Sequence, residues 1–264
     1  MPRVTIEVRT RNSLTSRKDA REFLKILCEA GEQFVPERYG NWEPLRMPFS
    51  EPEEALRAWN WGFLWSRAKP RVEGSVYQSM GPRPTHGSIT IVGDFKSPNQ
   101  DLLVSLLKRL AVTFNADFAL VHCLTPADLR VGPKAGTVTL NERSPGKSRL
   151  IVTTHMLKRY LPDVFWGTVF GLTYVRHFTK DLIASAPASF VSEIADSMFY
   201  LQMCDNLLDC IERPSVVDDI RKLVRDHLNR GSFFDPGKGE EYPYSAPDFA
   251  LPVTDWDGNG PAEG

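Results

Sequence analysis

From Val4 to Arg9 the chain alternates strictly, with Val4, Ile6 and Val8 set against Thr5, Glu7 and Arg9. A period of two marks a strand with one buried face. After Ser16 the period changes. Phe23, Leu24, Ile26, Leu27 and Cys28 recur at helical spacing as far as Gly31, so residues 17–30 are expected to form an amphipathic helix capped by Ser16. A second helix is expected near Pro52, with Ser50 as its cap, Glu53 completing a capping box, and Leu56 and Trp59 on its apolar side. Val72–Met80 and Ser88–Phe95 read as an antiparallel pair joined by a turn containing Gly81, Pro82, Pro84 and Gly87. Residues 99–114 form the clearest helix, with Leu102, Leu103, Leu106, Leu107 and Leu110 as its stripe, and Phe118–Leu124 follows as a buried strand.

Beyond these, strands are expected near Gly136–Leu140, Leu150–Thr153, Phe190–Ile194 and Met198–Met203, and a helix over Val216–Leu228. Helices and strands mix without strict alternation, which predicts an α+β fold: a largely antiparallel sheet packed with amphipathic helices. Residues 1–230 are expected to form that single domain and residues 231–264 an irregular arm. The arm holds Pro236, Pro243, Pro247, Pro252 and Pro261, which exclude helix and central strand.

Charge separates the two parts. The 264 residues carry 32 basic and 33 acidic side chains, a net −1, but the arm alone is −6 and the preceding residues +5. The overall balance argues against a uniformly basic binder of nucleic acid. The arm is also rich in aromatics, among them Phe233, Phe234, Tyr242, Tyr244, Phe249 and Trp256, which a solvated tail would not be expected to carry. It is therefore expected to wrap its own body, or else to dock on a partner.

The search for chemistry mostly excludes it. Pro145-Gly146-Lys147-Ser148 contains part of a phosphate loop, but Asn141 stands where the first glycine belongs and β-type sequence follows. Asp255–Gly260 fits the first half of a calcium loop; its twelfth position would fall beyond Gly264, and an acidic turn is the expectation. His86, His122, His155, His177 and His227 never recur at the i, i+4 spacing of a helical metal site. Cys28, Cys123, Cys204 and Cys210 lie apart in apolar stretches and read as reduced core thiols, while Asp205, Asp209, Asp218 and Asp219 read as helix-start or loop acids. No cofactor, metal or catalytic set is expected. The first residues lack the apolar run of a secretion leader and no apolar stretch approaches 20 residues, so the expected address is the cytoplasm, with no membrane contact.

Two stretches are more particular. Pro36–Leu45, read as a loop with Tyr39 and Trp42, and Tyr160–Gly171, followed by Tyr174 and Ala186-Pro187, resemble in this order the bacterial toxin-immunity proteins of type VI secretion and polymorphic-toxin systems. The immunity protein 52 family is the nearest in pattern, over roughly residues 1–212. The resemblance implies a non-enzymatic cytoplasmic antidote that binds one secreted toxin, in this family a nuclease. Arg38, Tyr39 and Trp42 supply the three side-chain types that dominate interfaces within five residues, and Asp235, Glu240 and Glu241 on the acidic arm complete the expected toxin-binding set. Trp166 and Phe170 are expected in the core. A metal-independent enzyme or small-molecule binder with an aromatic-lined pocket, a secretion or phage adaptor, and a homo-oligomer all stay open.

Overall fold

The computed structural model describes residues 2–78, 85–132, 136–139 and 148–251. In chain order it contains β1 (Arg3–Thr10), α1 (Arg17–Ala30), β2 (Arg38–Gly40), β3 (Met47–Pro48), α2 (Pro52–Ala55), β4 (Gly62–Arg67), β5 (Arg71–Tyr77), β6 (Gly87–Asp94), α3 (Gln100–Thr113) and β7 (Ala116–Cys123). The second half contributes α4 (Pro126–Val131), β8 (Thr137–Thr139), β9 (Ser148–Leu150), α5 (Thr154–Leu157), β10 (Gly167–Phe170), α6 (Leu172–Phe178), α7 (Lys180–Ala184), β11 (Phe190–Ala195), β12 (Met198–Gln202), α8 (Asp209–Glu212) and α9 (Pro214–Asn229). Ten strands form one sheet in the order β11-β12-β10-β7-β1-β6-β5-β4-β2-β3, and every pairing is antiparallel. The fold is α+β, as the pattern predicts.

The alternation of β1 decides which layer lies on which face. Val4, Ile6 and Val8 point to one side, where they meet Phe23, Leu24 and Leu27 of α1 and Leu103, Leu106 and Leu107 of α3 in one core cluster. Ser16 caps α1 by accepting from the Asp19 amide, and Asn99 caps α3 by accepting from the Leu102 amide. On the other face, Phe118 and Leu120 of β7, Phe170 of β10 and Phe199 and Leu201 of β12 build a second cluster with Tyr174 and Phe178 of α6 and Val224 and Leu228 of α9. This second layer covers the β7-β10-β12 half of that face. Over β4 and β5 the same face carries Leu64, Ser66, Glu73 and Ser75, which line an open groove.

Gly171 explains part of the Tyr160–Gly171 string. A Cβ at this residue would lie 1.9 Å from the Ala116 carbonyl oxygen, so only glycine lets the chain turn from β10 into α6 against β7. Trp166 and Phe170 are fully buried, as expected.

Other expectations need correction. The second helix is a single turn ending at Ala55, Leu56–Ala58 continues as a 3-10 turn, and Trp59 lies beyond both with its indole N–H donating to the Leu14 carbonyl. Its cap is Glu51 rather than Ser50; Pro52 starts the helix one residue too late for Ser50 to reach the first amides, and the Ser50 hydroxyl donates to Glu54 instead. Pro36–Leu45 is not all loop, because Arg38–Gly40 pairs with β4. The strand expected at Leu150–Thr153 stops at Leu150, pairs with β8 outside the ten-stranded sheet, and gives Thr153 to the cap of α5. Gly81, Pro82 and Pro84, Asn141 and Pro145–Lys147, and the Asp255–Gly260 segment lie outside the described residues. All four cysteines are free thiols; Cys28 is half-buried and the others buried. Among the described residues no helix is long and apolar enough to cross a membrane.

Glu7 is the exception in β1, a carboxylate on the side that the β9–α5 segment covers. It is buried and accepts from the Val152 amide at 3.1 Å and from the Arg9 guanidinium. Burial raises its pKa above the ordinary 4.5, against the opposing pull of Arg9, Val152 and Arg149. A carboxyl that holds its proton more firmly when folded contributes stability below its unfolded pKa and loses it as pH rises through the folded one. Urea midpoints of wild type and Glu7→Gln measured across mild acid are therefore expected to diverge in the variant's favour as pH climbs past 4.5. A constant difference would show that Glu7 does not titrate differently on folding.

Candidate functional site

The loop after β2 is held in place before Trp42 leaves the surface. Asn41 Nδ2 donates to the carbonyls of Ala58 and Gly62, each at 2.6 Å, and to Asn60 Oδ1 at 3.2 Å, tying β2 to the entry of β4. Trp42 then projects outward, 69% exposed. Its ring meets Trp61 edge-on with centroids 5.1 Å apart, and Trp61 meets Tyr77 at 5.8 Å. Tyr77 itself is 45% exposed. Three aromatic rings thus form a ladder on the surface, presented by the bend after β2, the residue before β4 and the end of β5.

The ladder adjoins the open half of the second sheet face. Tyr77 shares that face with Ser75 and Glu73, and Trp42 is followed directly by Glu43, Pro44 and Leu45, which wall a groove of about 1020 Å³. Its floor is Leu64, Ser66, Ser75, Thr90 and Val92. Arg3 bridges Glu73 at 2.8 Å and Asp94 at 3.4 Å along one side, and Arg71 and Arg149 add two more cations. The Nε atoms of Arg3 and Arg149 are buried without a hydrogen-bond partner among the described residues. An open groove with polar and apolar side chains on its floor, lying beside exposed aromatics, can receive a protein segment.

A second concentration of polar groups lies beneath α9. The Asp128 carboxylate accepts from His122 Nε2 at 2.8 Å, the Thr125 amide at 2.7 Å and Arg221 at 2.8 Å, and with Thr125 it forms the capping box of α4. Arg221 also donates to Asp163, Asp218 and the Val164 carbonyl. The Cys210 thiol lies 3.8 Å from His122 Nδ1, giving a Cys-His-Asp alignment, but that nitrogen accepts the Trp166 amide at 3.1 Å. Cys210 is fully buried, and burial pushes its thiol far above the ordinary value. At neutral pH the alignment presents no thiolate and no access for a substrate. Asp209 and Asp218 are correspondingly more than solvated loop acids: Asp209 is buried under a two-point contact with Arg213, and Asp218 is tied to Arg221. Among the described residues no group of acids, histidines and cysteines is arranged to hold a metal ion.

The residues expected from the sequence are not gathered in one place. Trp42 and Arg38 are exposed at the sheet edge, whereas Tyr39 is 5% exposed, packed between Phe63 and Phe49 in the core. On the arm, Asp235 lies 3.6 Å from Arg230, and Arg159 holds both the Glu240 carbonyl and the Glu241 carboxylate. The Asp235 and Glu241 carboxylates meet bases of their own body, and Glu240 does so through its backbone. Trp61, Tyr77 and the groove were not singled out in the sequence, because the register that brings them to Trp42 is set by strands far apart in the chain.

No protein-family model matches the chain, and no curated protein matches it. Among solved structures, the fold is similar to that of the Pseudomonas aeruginosa T6SS protein PA0821, with 12% identity and a TM-score of 0.50 over 92% of this chain and 78% of that one.

Proposed function

We propose that this chain is a cytoplasmic immunity protein of a type VI secretion setting, which neutralises a cognate toxin by binding it and performs no catalysis itself. The observation that carries the reading is the Trp42–Trp61–Tyr77 ladder, an exposed aromatic cluster held rigid by Asn41 at the mouth of a groove. Rigid aromatics lose little entropy on docking and dominate interface energies. The likeness of fold to a T6SS protein supports the setting. A nuclease is the toxin class that suits the acids left exposed on the arm, Glu241 and Asp248, since a surface that attracts phosphates is basic.

The test is co-expression with the toxin encoded by the adjacent gene. Wild-type protein should restore growth and co-purify with the toxin as a stable complex; an active toxin that neither binds it nor is neutralised by it would end this reading. Trp42→Ala is expected to cost at least about 2 kcal/mol of toxin affinity, roughly 30-fold in Kd, by titration calorimetry. Because Trp42 stands in solvent, its urea midpoint should not move. Unchanged affinity would place the interface elsewhere.

A further inference from the structure

A cavity of about 340 Å³ lies between α4, the Pro162-Asp163 segment, α9 and the start of the arm at Phe234 and Pro236. It shares no residue with the groove or the aromatic ladder. Four arginines line it, and they are not alike. Arg221 is engaged at all three nitrogens: Nε donates to the Val164 carbonyl, Nη1 to Asp218, and Nη2 to Asp128 and Asp163. Arg225 gives Nη1 to Asp163, and its Nε is buried with no acceptor among the described residues. Arg230 makes two long ion contacts, 3.9 Å to Asp226 and 3.6 Å to Asp235, and its Nη1 is likewise buried with no acceptor. Arg130 reaches the same cavity from α4 and is exposed.

We propose that this cavity binds a phosphate-class oxyanion through Arg130, Arg225 and Arg230. Net charge does not select the ligand, since Asp128, Asp163 and Asp218 line the same cavity. The unused donors do. Guanidinium groups from α4 and from the C-terminal end of α9 line one space, and two of them carry buried N–H groups with no acceptor among the described residues. A tetrahedral anion presents acceptor oxygens in several directions at once, which a single carboxylate cannot do. Asp218 fits the same ligand: burial raises its pKa, and its carboxylate can accept from the proton-bearing oxygen that phosphate keeps near neutral pH. Val131 and Phe234 give the cavity an apolar side, leaving room for the organic part of a phosphomonoester.

Titration calorimetry of the full chain with inorganic phosphate, against sodium chloride at matched ionic strength, tests the site. Saturable binding is expected, weakened at least tenfold in Arg225→Gln and in Arg130→Gln. The second variant removes an exposed side chain and keeps the fold, so a loss there cannot be put down to unfolding. Arg71→Gln, in the distant groove, should bind phosphate as wild type does. No saturable heat above the chloride control, wild-type affinity in both cavity variants, or an equal loss in Arg71→Gln would overturn the proposal.

Discussion

Arg221→Leu is expected to destabilise the protein by about 3–5 kcal/mol, the cost of removing one partner from a buried ionic cluster. The guanidinium is 3% exposed and touches Asp128, Asp163 and Asp218 at 2.7 to 3.1 Å. Burial alone would raise the Asp128 pKa; Arg221 first, then His122, more than reverse this and hold the carboxyl well below the usual range. Without Arg221, Asp128 keeps only the His122 and Thr125 donors for a charge that solvent barely reaches. Lysine should not rescue the variant, because one ammonium cannot serve Val164, Asp218 and the Asp128–Asp163 pair at once. The pH dependence has a definite sign. A depressed carboxylate contributes stability above its unfolded value of 3.8 and loses it as pH falls toward the folded value, so the deficit should be full at neutral pH and narrow below pH 3.8. Urea unfolding at several pH values reads both effects. A deficit under about 1 kcal/mol at neutral pH would mean that the aspartates relax to water when the arginine is gone.

The same cluster shows where sequence reading reaches its limit. Helices α1 and α3 were legible because each buries one apolar face, which imposes a period; β1, although buried on both faces, was legible because Val4, Ile6 and Val8 on one side alternate with polar Thr5, Glu7 and Arg9 on the other. Strand β10 offers no such period: all four residues of Gly167–Phe170 are buried, so it reads as part of an undivided apolar string. Strand β2 was hidden differently, since three residues at the sheet edge are fixed by pairing with β4 rather than by their own pattern. Among candidate site residues, Trp42 was visible as an aromatic in a Pro-flanked stretch. Tyr39, three residues earlier, was indistinguishable from it until pairing with β4 turned Tyr39 into the core, while Trp42 lies in the exposed bend beyond β2. Arg221 sits on α9 where a helical reading puts an apolar stripe, and only the distant Asp128 and Asp163 explain a charge there.

Removing residues 232–264 is expected to abolish stable folding, and the reason separates the two roles that the arm's composition suggests. The described arm is part of the second core. Phe233 is fully buried and stacks on Phe178, Phe249 packs on Tyr174 and His86, and Phe234 packs on Tyr160. Backbone hydrogen bonds from the Leu161 amide to Ser232 and from the Phe234 amide to Leu161 fasten its start beside the Tyr160–Gly171 stretch. Truncating one buried phenylalanine costs about 3–5 kcal/mol, against a whole-domain stability of about 5–15 kcal/mol, so losing three exceeds what the fold can absorb. Phe233→Ala alone should therefore lower stability by about 3–5 kcal/mol in urea unfolding. Glu241→Gln and Asp248→Asn, on exposed side chains of the same arm, should leave the urea midpoint in place. If those acids also steer a basic toxin, this double variant should slow association with the toxin at low salt and match wild type at high salt, because exposed charges act over a distance that salt shortens. A Phe233→Ala protein as stable as wild type would remove the arm from the core. Equal association rates at low salt would leave its acids with Arg159 and Arg230 alone.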